Sequence, residues 1–349
     1  EHAQTQTEDA LKRIFANGSV SFSGVKEIRH SLHAAEAEGI LSTRELMDIA
    51  SVLEVTSNIK RYGMAEDGHE AVNDSLTDDF NCLEPLNGLT REIRRCIIDE
   101  ERIADDASSE LKRIRRAKSQ AFDKIHSTLQ NLINGSLKSY LMDSVITQRN
   151  SRYCLPVRAE YKSQVQGMVH DQSQTGSTLF IEPQLVVKLN NDIRELELSE
   201  RAEIQEILKG LSAEAAMNAE IIRANYQIVS ELDFIFARSE LALDMNAVRP
   251  KFNTAEIINL IGARHPLIDK KKVVPIDIHL GDEFDLLVVT GPNTGGKTVS
   301  LKTVGLLEIM GMSGLHIPAL ERSELSFFRE IYADIGDEQS IEQNLSTFS

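Results

Sequence analysis

Between an apolar, β-branched run, Asp285 to Thr290, and a helical pattern from Val299 onward lies Gly291-Pro-Asn-Thr-Gly-Gly-Lys297-Thr298, a complete G-x-x-x-x-G-K-[ST] phosphate loop. The motif constrains fold as well as chemistry, because a strand must feed the loop and a helix must leave it, which demands an α/β unit. Gly291, Gly295 and Gly296 let backbone N–H groups turn inward about a phosphate, while Pro292, Asn293 and Thr294 complete the loop. The helix N-terminus adds partial positive charge, Lys297 reaches the β/γ-phosphates, and the Thr298 hydroxyl can hold Mg²⁺. The chain therefore reads as nucleotide-binding, with Lys297 and Thr298 as catalytic candidates and Thr298 as the metal ligand.

Composition narrows the partners. At 349 residues, with 41% hydrophobic and 26% charged residues, the chain reads as a soluble protein of two or more domains. A net charge of −16 argues against nucleic-acid binding by bulk electrostatics, so any such contact must be local. Cys82, Cys96 and Cys154 are widely separated and form no C-x-x-C pair, which fits a reducing, cytoplasmic setting. No 18-residue apolar run or signal-peptide core is present, and no membrane role is expected.

Along the chain, residues 1–100 read as several ordinary helices, such as Gly24 to Glu38 and Ser42 to Tyr62, with a loop-like acidic stretch from Ala65 to Asp79. From Ile103 a continuous stripe (Ala107, Leu111, Ile114, Ala121, Ile125, Leu129, Leu132) predicts one helix ending at Gly135, roughly 45 Å long at about 1.5 Å per residue. A second stripe runs from Leu185 to Leu232, broken only by Gly210. Two such helices are predicted to pair antiparallel as a projecting arm. Between them, 151–158, 165–170 and 177–181 read as three short strands punctuated by Gly167, Gly176 and Pro183, a β-rich tip at about 145–184. Arg249-Pro250 marks a further boundary. The expected fold class is α plus α/β, with a helical core (1–100), a long antiparallel helical arm carrying the tip (101–249), and a terminal phosphate-loop unit (250–349), which the resemblance described next makes lever helices and the N-terminal part of a P-loop ATPase domain.

This order of parts, together with the loop reading G-P-N-T-G-G-K-T and the upstream Gly262-Ala-Arg-His-Pro-Leu267, resembles the MutS family of ATPase clamps. Arg149-Asn-Ser-Arg-Tyr-Cys-Leu-Pro-Val157, Val169-His-Asp171, Phe180-Ile-Glu-Pro183 and the run from Ala333 to Ser349 are similar to its MutS-two branch over nearly the whole chain. The resemblance implies an ABC-type ATPase domain using ATP and Mg²⁺, a homodimer, and action on branched DNA, where the branch suppresses recombination, or on stalled and collided ribosomes through rRNA. It also implies that Ser346 reaches the partner's γ-phosphate in trans; an ordinary helix N-cap is the other reading of that serine. Val273 and Val274 match the family's adenine-contacting strand edge, and an apolar core strand accounts for them equally well. No mismatch-reading domain or aromatic wedge precedes the helical core, so mismatch repair is not expected. The sequence stops at Ser349 before a Walker B aspartate, a catalytic glutamate or the branch's C-terminal nuclease domain, so it reads as a fragment with weak or no ATPase activity. A catalytically incomplete dimerisation module with vestigial nucleotide binding is the rival reading.

Weaker candidates have plain alternatives. Cys96-Ile-Ile-Asp99-Glu100 imitates a Walker B strand but lies far from the phosphate loop and reads better as a solvated acidic pair. Lys112, Arg113, Arg115, Arg116 and Lys118 form the densest basic cluster, which is either a solvated helix face or a nucleic-acid contact. Arg149, Arg152, Arg158 and Lys162 are better placed, because a projecting tip can close on phosphates without reading bases. His30 and His33 share a helix face but lack a third metal ligand.

Overall fold

Several helix boundaries differ from those that periodicity predicts, two of them fixed by single side-chain hydrogen bonds at Ser108 and Asn218. The computed structural model describes residues 1–64, 72–291 and 296–334. The chain divides into two compact units, one formed by 1–24, 54–85 and 224–349, the other by 25–53 and 86–223. Among the described residues no helix is long and apolar enough to cross a membrane.

In the second unit, α6 (Ser109–Asn134) pairs with α7 (Val187–Met217). The pair is antiparallel, since Ser108 meets Glu203 while Arg115 and Lys118 both meet Glu200. Helix α6 starts six residues later than the stripe predicts. Ser108 caps it by accepting from the Leu111 N–H at 2.9 Å, while Ile103 instead bridges to Ile97. Helices α2 (Arg29–Glu36) and α5 (Asn87–Cys96) pack on α7. The helix predicted from Gly24 is therefore shorter at its start, because Gly24 takes a positive φ of 105°.

The second stripe is two helices. Gly210 lies inside α7, where a glycine costs only about 1 kcal/mol relative to alanine. The break falls at Asn218, before α8 (Ala219–Met245). Its side-chain amide donates to the Glu214 carbonyl at 2.8 Å and its own carbonyl accepts from the Ile222 N–H at 2.9 Å, so one residue closes α7 and opens α8.

The tip contains four paired strands rather than three: β1 (Thr147–Arg149), β2 (Arg152–Arg158), β3 (Gly167–Gln172) and β4 (Thr178–Pro183), in the order β1-β2-β4-β3 and antiparallel throughout. Asn150 and Ser151, at φ 49° and 60°, make the two-residue turn between β1 and β2. Ile125, Leu129, Ile133, Leu155, Val157, Ile181, Val186 and Ile193 form one buried cluster joining this sheet to α6 and α7.

In the first unit, α1 (His2–Asn17), α4 (Thr77–Cys82) and most of α8 accompany a mixed sheet, β5 (Lys251–Asn253), β6 (Ile258–Ala263), β7 (Ile276–Leu280) and β8 (Glu324–Ser326), ordered β5-β8-β6-β7. Helix α4 occupies the end of the stretch read as loop-like, and 65–71 lie outside the described residues. Helix α3 (Thr43–Gly63) runs close to its predicted span. Helix α9 (Lys297–Met312) contributes Leu307 to the buried set of Leu260, Ala263, Ile317 and Leu325.

Candidate functional site

Helix α9 begins at Lys297, the lysine of the phosphate loop. Gly296 precedes it in the left-handed region at φ 85°, a backbone that favours glycine, and its carbonyl accepts from the Ser300 N–H at 2.9 Å and the Ser300 hydroxyl at 3.0 Å. The first turn of α9 thus starts one residue after a glycine whose missing side chain leaves open space, and Gly291 is equally open. Lys297 is half-buried and Thr298 exposed. Pro292, Asn293, Thr294 and Gly295 lie outside the described residues, as does Ser346. A helix N-terminus with open glycine backbone on its approach fits the phosphates of a nucleotide, and an exposed hydroxyl one residue into the helix fits a Mg²⁺ ligand.

The run Asp285 to Thr290 departs from expectation. It pairs with no strand among the described residues, and Leu286 and Val288 are 78% and 72% exposed. A buried parallel strand is held by neighbours on both sides, and without them an apolar run has neither a ladder nor cover. Val273 and Val274 do not lie on a strand: they end a turn, Val273 N–H donating to the Asp269 carbonyl at 2.9 Å, and precede β7. Val274 is 76% exposed, so neither residue is part of a core strand. Val273 does line a cavity of about 500 Å³ together with Arg264, His265 and Asp269 from the Gly262 to Leu267 motif and the turn after it. His265 and Leu267 also line a second, more apolar cavity of about 630 Å³ with Leu301, Leu306 and Tyr332.

The far end of α9 is anchored by side chains that periodicity alone does not single out. Gln4 on α1 donates to the Gly311 and Leu315 carbonyls at 3.0 and 2.8 Å, and Thr7 donates to the Gly314 carbonyl at 3.1 Å. Ser239 on α8 in turn donates to the Thr7 carbonyl at 2.9 Å. Orphan carbonyls at the helix end are thereby satisfied from α1. Two buried titratable groups stand nearby in the fold. Glu308 makes no well-formed side-chain hydrogen bond, and burial pushes its carboxyl up to about 7, with the Ser326 backbone pulling the other way. Burial holds the His316 imidazole below its ordinary value, against the pull of the Gln4 backbone and Glu8.

In the tip, a β-bulge between Val169 and Asp171 re-aims His170, whose Nε2 lies 2.6 Å from a Glu182 carboxylate oxygen. Glu182 is fully buried and also accepts from Arg152 at 2.8 Å and Asn190 at 2.7 Å. Of the predicted contact residues, Arg152 is thus engaged internally, and Arg149 pairs with Asp171 at 3.1 Å and lies 4.0 Å over the Phe180 ring. Arg158 and Lys162 are exposed. The basic cluster on α6 is partly neutralised: Arg113 pairs with Glu110, Arg115 with Glu200 and Asp105, and Lys118 with Glu200. Among the described residues no group of three or more His, Cys, Asp or Glu side chains could hold a metal ion.

The family described as MutS domain V matches residues 287–349, the stretch that carries the phosphate loop and α9. This places the site in the MutS class. Three curated relatives, each named endonuclease MutS2, match almost end to end on this side: that of Lachnoclostridium phytofermentans is 56% identical over 99% of the chain, that of Agathobacter rectalis 54% over 100%, and that of Lachnospira eligens 55% over 99%. The chain belongs to the MutS2 family. It spans 43–44% of the length of these relatives.

Proposed function

We propose that this chain is the clamp-forming and nucleotide-binding part of an ATP-switched MutS-like homodimer that acts on branched DNA or on stalled and collided ribosomes, and not in mismatch repair. The observation that carries the reading is the placement of Lys297 at the first position of α9 directly after left-handed Gly296. ATP with Mg²⁺ would supply the phosphoanhydride and its charge neutralisation. For its part, the chain would offer N–H groups of the α9 N-terminus, the Lys297 ammonium, and the Thr298 hydroxyl as a Mg²⁺ ligand. Val273 and Val274 are proposed to border the adenine, with Val273 in the cavity shared by Arg264 and His265. Ser346 is proposed to act in trans. We retain the division into a core (1–100), lever helices with tip (101–249) and ATPase part (250–349), and a cytoplasmic setting. Nuclease activity would belong to the complete protein, as the name of the relatives implies for them.

The exposed run at 285–290, which pairs with no strand among the described residues, favours a second reading, a dimerisation module with vestigial nucleotide binding. Sedimentation of the complete protein with and without a slowly hydrolysed ATP analogue separates the two. A nucleotide-dependent dimer that Lys297→Ala abolishes supports the switch, and a dimer indifferent to both supports the module.

A further inference from the structure

A small basin of about 160 Å³ lies where the β1–β2 turn meets α7, lined by Asn150, Ser151, Arg152, Asn190 and Arg194. Its lining is rich in donors. Asn190, 2% exposed, is locked as the rear wall by accepting from the Tyr153 N–H at 2.9 Å and donating to Glu182 at 2.7 Å. Arg152 is held by Glu182 and by Asn191 at 2.6 Å, with its Nε making no further bond among the described residues. Arg194 touches one acid, Glu197, at 3.3 Å through one terminal nitrogen, which leaves the rest of its fork without a partner among the described residues. The Ser151 hydroxyl is likewise without one. Asn150 and Ser151 both take positive φ, so the turn presents its backbone edge, with no bulky side chain, at the mouth.

Charge and size together select the ligand. Two guanidinium groups face the basin, and the acids that touch its lining are Glu182, already shared by Arg152, His170 and Asn190, and Glu197 at its edge. A volume equal to roughly five water molecules admits a tetrahedral anion but is well below the about 300 Å³ at which pockets begin to enclose a nucleoside-sized ligand. Arginine forks and a turn hydroxyl are the groups that recognise phosphate oxygens. We propose that this basin seats one backbone phosphodiester of a nucleic-acid strand, with Arg194 and Ser151 as its contacts and Arg152 holding the floor. The proposal rests on reading the tip as a nucleic-acid contact, and it moves the contact from Arg149, which is turned onto Phe180 and Asp171, to Arg194.

Anisotropy titrations of the 349-residue chain on a labelled DNA duplex and a labelled RNA hairpin, over a range of salt concentrations, test it. Arg194 is half-exposed, so Arg194→Gln keeps the fold, which circular dichroism verifies. Arg194→Gln should bind both probes roughly fivefold more weakly, with a salt slope shallower by about 1, as loss of one phosphate contact requires; Ser151→Ala should weaken binding without changing the slope. Loss on RNA alone or DNA alone supports the site and names its strand. If Arg194→Gln binds as the wild type while Arg158→Gln or Lys162→Gln weakens, the tip reading survives and this basin is overturned. If the wild-type chain binds neither probe, both fall.

Discussion

The Gln4 side-chain amide, at the start of α1, donates to the Gly311 carbonyl at 3.0 Å, near the C-terminus of the helix that Lys297 begins. Its second bond, to Leu315 at 2.8 Å, fixes the loop that follows. The helix of the phosphate loop is therefore held at its far end by a residue some three hundred positions away in sequence.

Removing that tie should destabilise the first unit. Gln4→Leu takes the side-chain donor from the Gly311 carbonyl, which still accepts from the Gly314 N–H, and from the Leu315 carbonyl, and it also deletes the amide oxygen of Gln4, itself buried without a partner, so the net cost is about 1 kcal/mol. Gln4→Glu should cost more, because it sets acceptors against carbonyl oxygens. Urea unfolding midpoints of the two variants check the order; a Gln4→Glu protein as stable as Gln4→Leu would show that the two bonds contribute little.

Gly314, at φ 85°, should not tolerate a side chain. A Cβ there would lie 2.5 Å from the Ala3 Cβ and 2.8 Å from an Arg238 nitrogen, besides adopting a left-handed backbone. Gly314→Ala should lower stability by about 2–3 kcal/mol, read as a thermal midpoint shift of several degrees.

Glu308 makes stability depend on pH. Its folded value, about 7, lies above the ordinary carboxyl value of 4.5, so as pH rises the unfolded chain ionises first and binds fewer protons than the folded one. Stability then falls from about pH 4.5 and levels off above about 7, by at most about 3 kcal/mol. Glu308→Leu should remove this loss, stabilising the protein at pH 8 far more than at pH 5. Equal effects at both pH values would contradict the buried-acid account.

Much of the architecture was legible because it rests on periodicity. The α6 and α7 stripes and the β-rich tip follow from residue spacing, as Ile125, Leu129 and Ile193 show by sharing one cluster. The ends were less legible, since Ser108 and Asn218 act through single hydrogen bonds that a hydrophobic pattern does not register. The site divides in the same way. Gly296 and Lys297 follow from the motif, whereas the partners of Glu182, the bulge that aims His170, and the Gln4 anchor join residues distant in sequence. The Asp285 to Thr290 run carries a strand pattern but pairs with no strand among the described residues, since propensity supplies no neighbour strand.

Thiol chemistry offers a check on tip and core packing. Burial pushes both the Cys96 and Cys154 thiols up to about 11, and Cys82 is exposed. Iodoacetamide at neutral pH should label Cys82 first, the other two following only on unfolding. Early labelling of Cys154, resolved by peptide mass spectrometry, would mean that the tip sheet opens readily.

The most direct test of the central claim is titration calorimetry of Mg·ADP into the purified chain and its Lys297→Ala variant. The account predicts saturable, Mg²⁺-dependent binding that weakens markedly in the variant, while phosphate release from ATP stays near background. Binding that is absent in the wild type, or identical in Lys297→Ala, would contradict a nucleotide site at the head of α9.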